Sequence, residues 1–510
     1  MVEEVLKDTP FKGASVGIGS EVLGAFVGDE KGRSSFIDDK VKRMAAAVGK
    51  LAEVGSRSPQ ALHAAYTRAL QHRTTYVERT TKTKNEEFRP IATAVSDHLI
   101  PALTGREVLN DVAAEALSLP IRLGGLGLST PVQTAEAKFT TAEEATTHLT
   151  RVIRGLERWS EKEHNQIFAS TGTTAKLSKR KKLEERADSL LSPESRLPAP
   201  MKRCMKRARE HPEANQWLFV TPSAISRTTL TPLQFQDGLN SRYGRDPKGI
   251  PTVCECGKNA RNDLAHALTC MSGGGVVGRH NIIRDELAYL AREALTRGAF
   301  SVEKEVPLTA PGDRSLHRGG IGGRHQLQRD RGDPGDGSNR QQREEGGLQV
   351  DLRIRGLEDS AVVTDVDVRC IYPDARSYST TEINKLLEND EKEKCDLYQQ
   401  AVQAEGNRFR PFVVSTDGVW GTAAKQILRQ LGDKLAQKWK KPQGIVGAWV
   451  RARMSLAKVR ACSACIRGSK TPGGARARLM DVEATGDDSD GAFLGLQFSN
   501  GPAGQGRRVQ

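Results

Sequence analysis

The strongest constraint on the fold is the stretch from Leu348 to Tyr398, which alternates apolar and polar residues in two runs and then turns helical. Successive side chains of a β-strand point to opposite faces. In the first run Leu348, Val350, Leu352 and Ile354 share one face, and Gln349, Asp351, Arg353 and Arg355 the other. In the second, Thr364, Val366, Val368 and Cys370 share a face, with Asp365 and Asp367 opposite. Two adjacent strands would bring Asp351 close to Asp365 or Asp367. A helix should follow, opened by a capping box of Ser379 and Glu382, with Lys394 and Tyr398 one turn apart on one side. Carboxylates on neighbouring strands beside a lysine are the constellation of Mg²⁺-dependent phosphodiester cleavage. Hard oxygens bind the cation, the cation activates water, and the lysine stabilises the developing charge. The same pattern also fits an ordinary strand pair with solvated acids.

A chain of 510 residues leaves room for several domains. Its 77 Lys and Arg against 63 Asp and Glu give a net charge of +14, which favours a polyanionic partner, most naturally nucleic acid. No apolar run is long enough to span a membrane, and the first residues lack a signal-peptide pattern. Eight scattered cysteines do not make a disulfide framework and fit a reducing, intracellular compartment.

Residues 1–35 read as glycine-rich turns without a strand–helix unit to belong to. Ile37, Val41, Met44, Val48 and Leu51 then recur at helical spacing, and Pro59 opens a second helix with Leu62, Tyr66 and Ala69 as its stripe. Helices continue to about residue 118, so this part is an all-α bundle. Phe36 to Asp39 matches the aromatic-x-Asp-Asp signature of polymerase sites. Lys40, Lys42 and Arg43 follow on a helical period, however, so Asp38 and Asp39 read as first-turn acids on a helix dipole. Leu119–Leu128 is a turn-rich hinge packed by leucines. Residues 133–190 are helical in composition, and Lys179–Lys182 fits either a nuclear import signal or a solvated helix face. Lys202, Arg203, Lys206, Arg207 and Arg209 form a basic cluster suited to phosphates.

Cys254, Cys256, His266 and Cys270 supply two close pairs of S and N donors separated by a loop, as a tetrahedral zinc site requires; buried free thiols are the alternative. Cys462 and Cys465 have no second pair nearby and read as thiols near a helix end. Beyond the knuckle the pattern predicts a helix over 279–297, strands over 301–308 and 410–416, and helices over 423–439 and 444–468. The last of these carries Arg451, Arg453, Lys458 and Arg460. The Gly/Arg/Asp-rich tract 309–347 and the tail 469–510 have too little to bury and are expected to be disordered. The order helix, three strands, helix, strand, helix is that of a small α/β nuclease core.

Five pieces in order carry a family resemblance: the helical segment ending in Leu119–Leu128, the Cys-Cys-His-Cys knuckle, Arg279–Asp285, the pair Asp351 and Asp365 with thirteen residues between, and the Lys394–Tyr398 helix. Pro411–Gly421 adds to them. Together they resemble the C-terminal part of non-LTR retrotransposon polyproteins of the restriction-endonuclease-like type, over roughly residues 10–470.

The resemblance implies a multidomain α and α/β chain. A thumb-like helical bundle would occupy 1–130, a helical basic linker 131–250 and a CCHC zinc knuckle 251–275. A PD-(D/E)xK core would fill 276–445 with its insert at 309–347, followed by a basic helix over 446–468 and the tail 469–510. It implies a nuclear DNA endonuclease that nicks target DNA for target-primed reverse transcription. The chain would be truncated before the polymerase palm, with DNA and element RNA as partners. Asp351 and Asp365 would hold Mg²⁺ or Mn²⁺, with Asp367 as the alternative ligand and Glu305 as a third. Lys394 would activate the attacking water, and Tyr398 would orient substrate or lysine. Arg369 shares the acids' strand face but cannot shuttle protons. Arg279, His280 and Arg284 would touch the DNA backbone, alongside Lys202, Arg203, Lys206 and Arg207. The sequence departs from the family at Gln349-Val350, where Pro or Ala is usual before the aspartate, and at Leu397, where lysine is frequent. The alternative is therefore a relic that binds nucleic acid and cleaves nothing.

Overall fold

The computed structural model describes residues 19–107, 110–258, 260–295, 301–308, 348–359, 361–378 and 381–468. The expectations for 309–347, for 469–510, for the chain before Gly19 and for the capping role of Ser379 lie outside them. The chain forms two compact units, one ending at Leu197 and the other beginning at Pro198. It is mixed helical with small sheets, in keeping with the α and α/β class, but the units do not follow the boundaries at 130 and 250.

In the first unit the start expected to be mere turns contains a hairpin, β1 (Gly19–Val22) with β2 (Ala25–Gly28). Helix α1 (Glu30–Gly55) follows, capped by the Asp29 side chain, which accepts from Gly32 N at 2.9 Å. Because α1 begins at Glu30, Asp38 and Asp39 are not first-turn acids. They sit on its exposed face and pair one turn on with Lys42 and Arg43 at 2.6 and 2.8 Å. Ile37, Val41, Met44 and Val48 are buried as their spacing predicts. On α2 (Pro59–Arg68), Leu62 and Tyr66 are buried, but Ala69 lies past the helix end and is exposed, with Leu70 buried beyond it. Leu119, Leu123, Leu126 and Leu128 are all buried. His63 Nε2 lies 2.8 Å from Leu126 O, which ties the hinge to α2. A Cβ on Gly125 would come within 2.0 Å of Leu119 O, so only glycine fits there. Three more helices matter: α3 (Asp111–Ser118), α4 (Ala135–Ala145) and α5 (Glu161–Leu191).

The second unit opens with α6 (Ala199–Glu210), α7 (Pro232–Arg242), α8 (Leu264–Thr269) and α9 (Gly275–Ala294). A four-stranded sheet follows in the order β3 (Val302–Pro307), β4 (Gln349–Arg355), β5 (Val363–Ile371), β6 (Arg408–Ser415). The first two pairings are antiparallel and β5–β6 is parallel. A parallel pair needs a crossover, and α10 (Ile383–Ala404) supplies it. Its N-cap is Glu382, which makes no side-chain capping bond, so the helix starts three residues after the expected cap position. The chain then continues through α11 (Thr422–Trp439) and α12 (Gln443–Arg467).

Leu352, Ile354, Val366, Val368, Phe412 and Val414 pack against Ile283 and Leu287 of α9, Ile427 and Leu431 of α11, and Trp449 and Met454 of α12. The basic C-terminal helix is thus an integral core helix and not a separate arm. Its charges are handled inside the fold. Arg453 Nε and Nη2 bond both oxygens of Glu286 at 2.8 and 3.2 Å, and Arg460 Nη2 donates to Arg227 O and Thr229 O. Lys458 is 5% exposed, and burial pushes its pKa down.

Candidate active site and metal centre

A short bridge of Val253 with Arg261 closes a loop that carries Cys254 and Cys256, and Gly257 takes a left-handed φ of 77° at its turn. His266 opens α8, where Asp263 caps its backbone N–H at 2.8 Å, and Cys270 ends that helix. The four donor atoms lie within 4.8 Å of one another and could hold one metal ion. Cys254 Sγ and Cys270 Sγ are 4.0 Å apart, and Cys256 Sγ and His266 Nε2 are 3.6 Å apart. Tetrahedral zinc bonds of ordinary length put ligand sulfurs about 3.8 Å apart and sulfur and nitrogen about 3.6 Å apart, so these residues fit that ion. The Lys258 backbone lowers the Cys256 thiol pKa, while burial pushes Cys254 up to about 11. Below α8, Leu264, Ala267 and Leu268 pack on Cys462 and Ile466, and Cys465 Sγ reaches Ala267 O at 3.6 Å. Cys462 and Cys465 therefore support the knuckle as core thiols.

The second site lies on the sheet. Leu352 pairs with Val366 and Arg353 with Asp365. The pairing ends at Leu352, and Asp351 lies one residue beyond it, close enough to Asp367 for its charge to act on that carboxyl. On β3, Glu305 takes a left-handed φ of 54° and drops out of the β3–β4 pairing, which resumes with Val306 on Val350. Asp351 Oδ1 lies 2.9 Å from His280 Nε2, and its Oδ2 accepts from Val368 N at 2.6 Å. Asp367 is 5% exposed, with Lys394 Nζ 2.9 Å from its Oδ2. Burial first, and then the Asp351 charge, push the Asp367 pKa up, against the pull of Lys394. Burial lowers the His280 pKa, but Asp351 outweighs it and the net direction is up.

Asp365, the partner preferred from spacing, has a different environment. Arg353 Nε and Nη2 donate to its two oxygens at 2.8 and 2.9 Å, Asn407 Nδ2 donates at 3.0 Å, and the residue is fully buried. A bidentate guanidinium closes Asp365 in a fully buried position, so Asp367, beside Lys394, is the carboxylate that stands with Asp351. The correction follows from strand register, which the alternating pattern leaves undetermined. Glu305 is paired with Arg284 at 2.6 Å, and Arg369 with Asp390 and Glu393 of α10 at 3.1 and 3.0 Å. Tyr398 is buried, its ring stacked on Phe409 at 5.2 Å and 5.6 Å from Lys394 Nζ. Its ring lies beneath the lysine. Arg353 and Asn407 are absent from the sequence-based candidates; Arg353 shares the polar face of β4, but nothing marks Asn407 in advance.

The basic residues divide by environment. Arg279 is 4% exposed and donates to Leu268 O at 2.7 Å and Cys370 O at 3.0 Å, which stitches α8 to β5. Arg284 is buried against Asp285 and Glu305. Neither is exposed; an amphipathic pattern cannot tell a buried arginine from an exposed one on the same turn. His280 remains beside Asp351. On α6, Arg207 turns inward to Asp374 and Asp417, and Arg203 pairs with Asp374 at 2.9 Å. Lys206 faces out, with Glu210 at 3.9 Å, and Lys202 is half-buried beside them. Of the basic cluster expected to suit phosphates, Lys206 and Arg203 are exposed and Lys202 half-buried, while Arg207 is spent on internal ion pairs.

The chain matches no protein-family model and no curated protein.

Proposed function

We propose that this chain is a metal-dependent DNA endonuclease fragment of a non-LTR retrotransposon, with a restriction-endonuclease-like core in its second unit. The observation that carries this reading is the convergence of Asp351, Asp367 and Lys394 at the β4–β5 pair and the facing helix α10. The donor chemistry fits a hard cation. Burial and the Asp351 charge push the Asp367 pKa up, and a divalent ion between the two carboxylates would relieve that repulsion. Asp351 and Asp367 would hold Mg²⁺ or Mn²⁺. Such an ion, when bound, activates water and neutralises charge on the scissile phosphate.

The chain's own groups do the rest. Val368 N fixes one oxygen of Asp351 and so sets the carboxylate's orientation. Lys394 holds its ammonium at Asp367, where it can take up the charge of the attacked phosphate. His280 stands at the outer oxygen of Asp351, 29% exposed at its side chain, within reach of a bound backbone phosphate. Arg353, itself held by Glu405 just past α10, and Asn407 anchor Asp365 between β4 and β5. Cys254, Cys256, His266 and Cys270 would hold a structural zinc ion that clamps the loop before α8. In this reading the first unit corresponds to the thumb and the first part of the linker, and element RNA joins DNA as a partner.

The test is nicking of supercoiled DNA with Mg²⁺ or Mn²⁺. Wild-type protein is expected to nick, and Asp367→Asn and Asp351→Ala to be inactive while still binding DNA. Wild-type protein that binds DNA but nicks with neither ion would favour the relic.

A further inference from the structure

We propose that the first unit carries a separate platform for single-stranded nucleic acid, built from Trp159, His164 and Phe168 and the basic residues around them. Helix α5 has 31 residues, about 46 Å of helix, yet buries only Ala187 and Leu190. Its first half has only a half-buried stripe through His164, Ile167, Thr171 and Ala175, and most of the surface around it is exposed. At its start three rings form a ladder. Trp159 and His164 have centroids 5.2 Å apart and His164 and Phe168 6.2 Å apart, while Trp159 and Phe168 are 52% and 53% exposed.

The ladder is anchored and not loose. His148 is 1% exposed and stacks on Trp159 at 5.5 Å. Its Nε2 accepts from Ser160 N at 3.1 Å, so Nδ1 carries the proton and faces Glu157 at 3.2 Å. That tautomer also argues against a metal at His148, Glu157 and Glu163, although their donor atoms are close enough for one. With no free imidazole lone pair, the histidine serves as the fixed base on which Trp159 rests.

The charge identifies the occupant. Between Arg151 and Lys182 there are nine basic residues and three acidic ones. Arg154, Arg158 and Lys162 are exposed and make no ion pair among the described residues. Exposed rings between unpaired cations match the face of an unstacked base and the phosphates beside it, and a duplex offers no such face. This platform is independent of the carboxylate site and stands whether or not the protein nicks DNA.

The test uses the full chain with fluorescein-labelled oligouridylate, oligodeoxythymidylate and a mixed-sequence duplex. The double variant Trp159→Ala, Phe168→Ala is expected to weaken both single strands by about tenfold or more and to leave duplex affinity unchanged. Trp159→Phe, which keeps a ring, should bind like wild type, and Arg154→Glu with Arg158→Glu should weaken single strands and flatten their salt dependence. Thermal melts of the variants separate lost contacts from lost folding. Unchanged single-strand affinity in the double variant overturns the proposal, and so does an equal loss for the duplex. A preference between the two oligonucleotides would show whether the platform takes RNA or DNA.

Discussion

Lys394 Nζ stands 2.9 Å from an oxygen of Asp367, while Arg353 closes both oxygens of Asp365 only two residues away on the same strand. Two acids on one face of one strand therefore have opposite tasks. One is held beside a cation in a position to react, and the other is spent on structure. This division makes the two substitutions separable by experiment.

Asp367→Asn is expected to abolish metal-dependent nicking with little change in melting temperature. Asp365→Asn should instead cost about 3 kcal/mol of stability, because it leaves the nearly buried Arg353 guanidinium short of its partner. Its folded fraction should still nick. Denaturant melts beside nicking rates distinguish the two, and the reverse outcome would return the metal to Asp365.

Lys394→Ala should slow nicking by about two orders of magnitude with DNA affinity unchanged. Lys394→Arg should not restore it, since a planar guanidinium is broader than an ammonium and cannot place its charge at the same point. Single-turnover nicking read against binding by gel shift checks both.

Arg279→Ala tests whether this residue serves the fold or the DNA. It bridges Leu268 O and Cys370 O from a buried position, so about 2 kcal/mol or more of stability should be lost. DNA affinity per folded molecule should stay constant. A tenfold loss of affinity in a protein of unchanged stability would restore the phosphate-contact role.

Purified protein should contain one zinc ion per chain by elemental analysis. A strong chelator should lower the melting temperature and expose the core beneath α8, where Leu268 meets Cys462 and Ile466. Cys256→Ser should reproduce that change without chelator. A metal-free protein with an unaltered melt would leave the four side chains as packed thiols.

Glu213 provides an acid-side test of stability. Burial pushes its carboxyl up, but His211 and Lys425 outweigh that and hold it at about 2. A carboxyl depressed in the folded state contributes stability at pH values above its ordinary pKa. That contribution is lost as pH falls toward about 2. Glu213→Gln should therefore lower the melting temperature at neutral pH and narrow the gap to wild type on acidification. A gap that stays constant with pH would contradict this.

By itself the sequence determined the periodicities and donor spacings, because these are local. The alternation of 348–355 and 361–371 became β4 and β5. Ile37, Val41, Met44 and Val48 became a buried helical stripe. Cys254, Cys256, His266 and Cys270 are near in the chain, and one tight loop and one short helix bring them together. Register and burial required the tertiary structure. A strand's period of two leaves Asp365 and Asp367 equivalent, and only the folded pairing sets Arg353 on Asp365 and leaves Asp367 near Asp351. Nor does local pattern tell which cations face inward. Arg279, Arg207, Arg453 and Lys458 look like a surface for phosphate, but packing turns them onto carbonyls, acids or the core, where burial and specific partners decide their role.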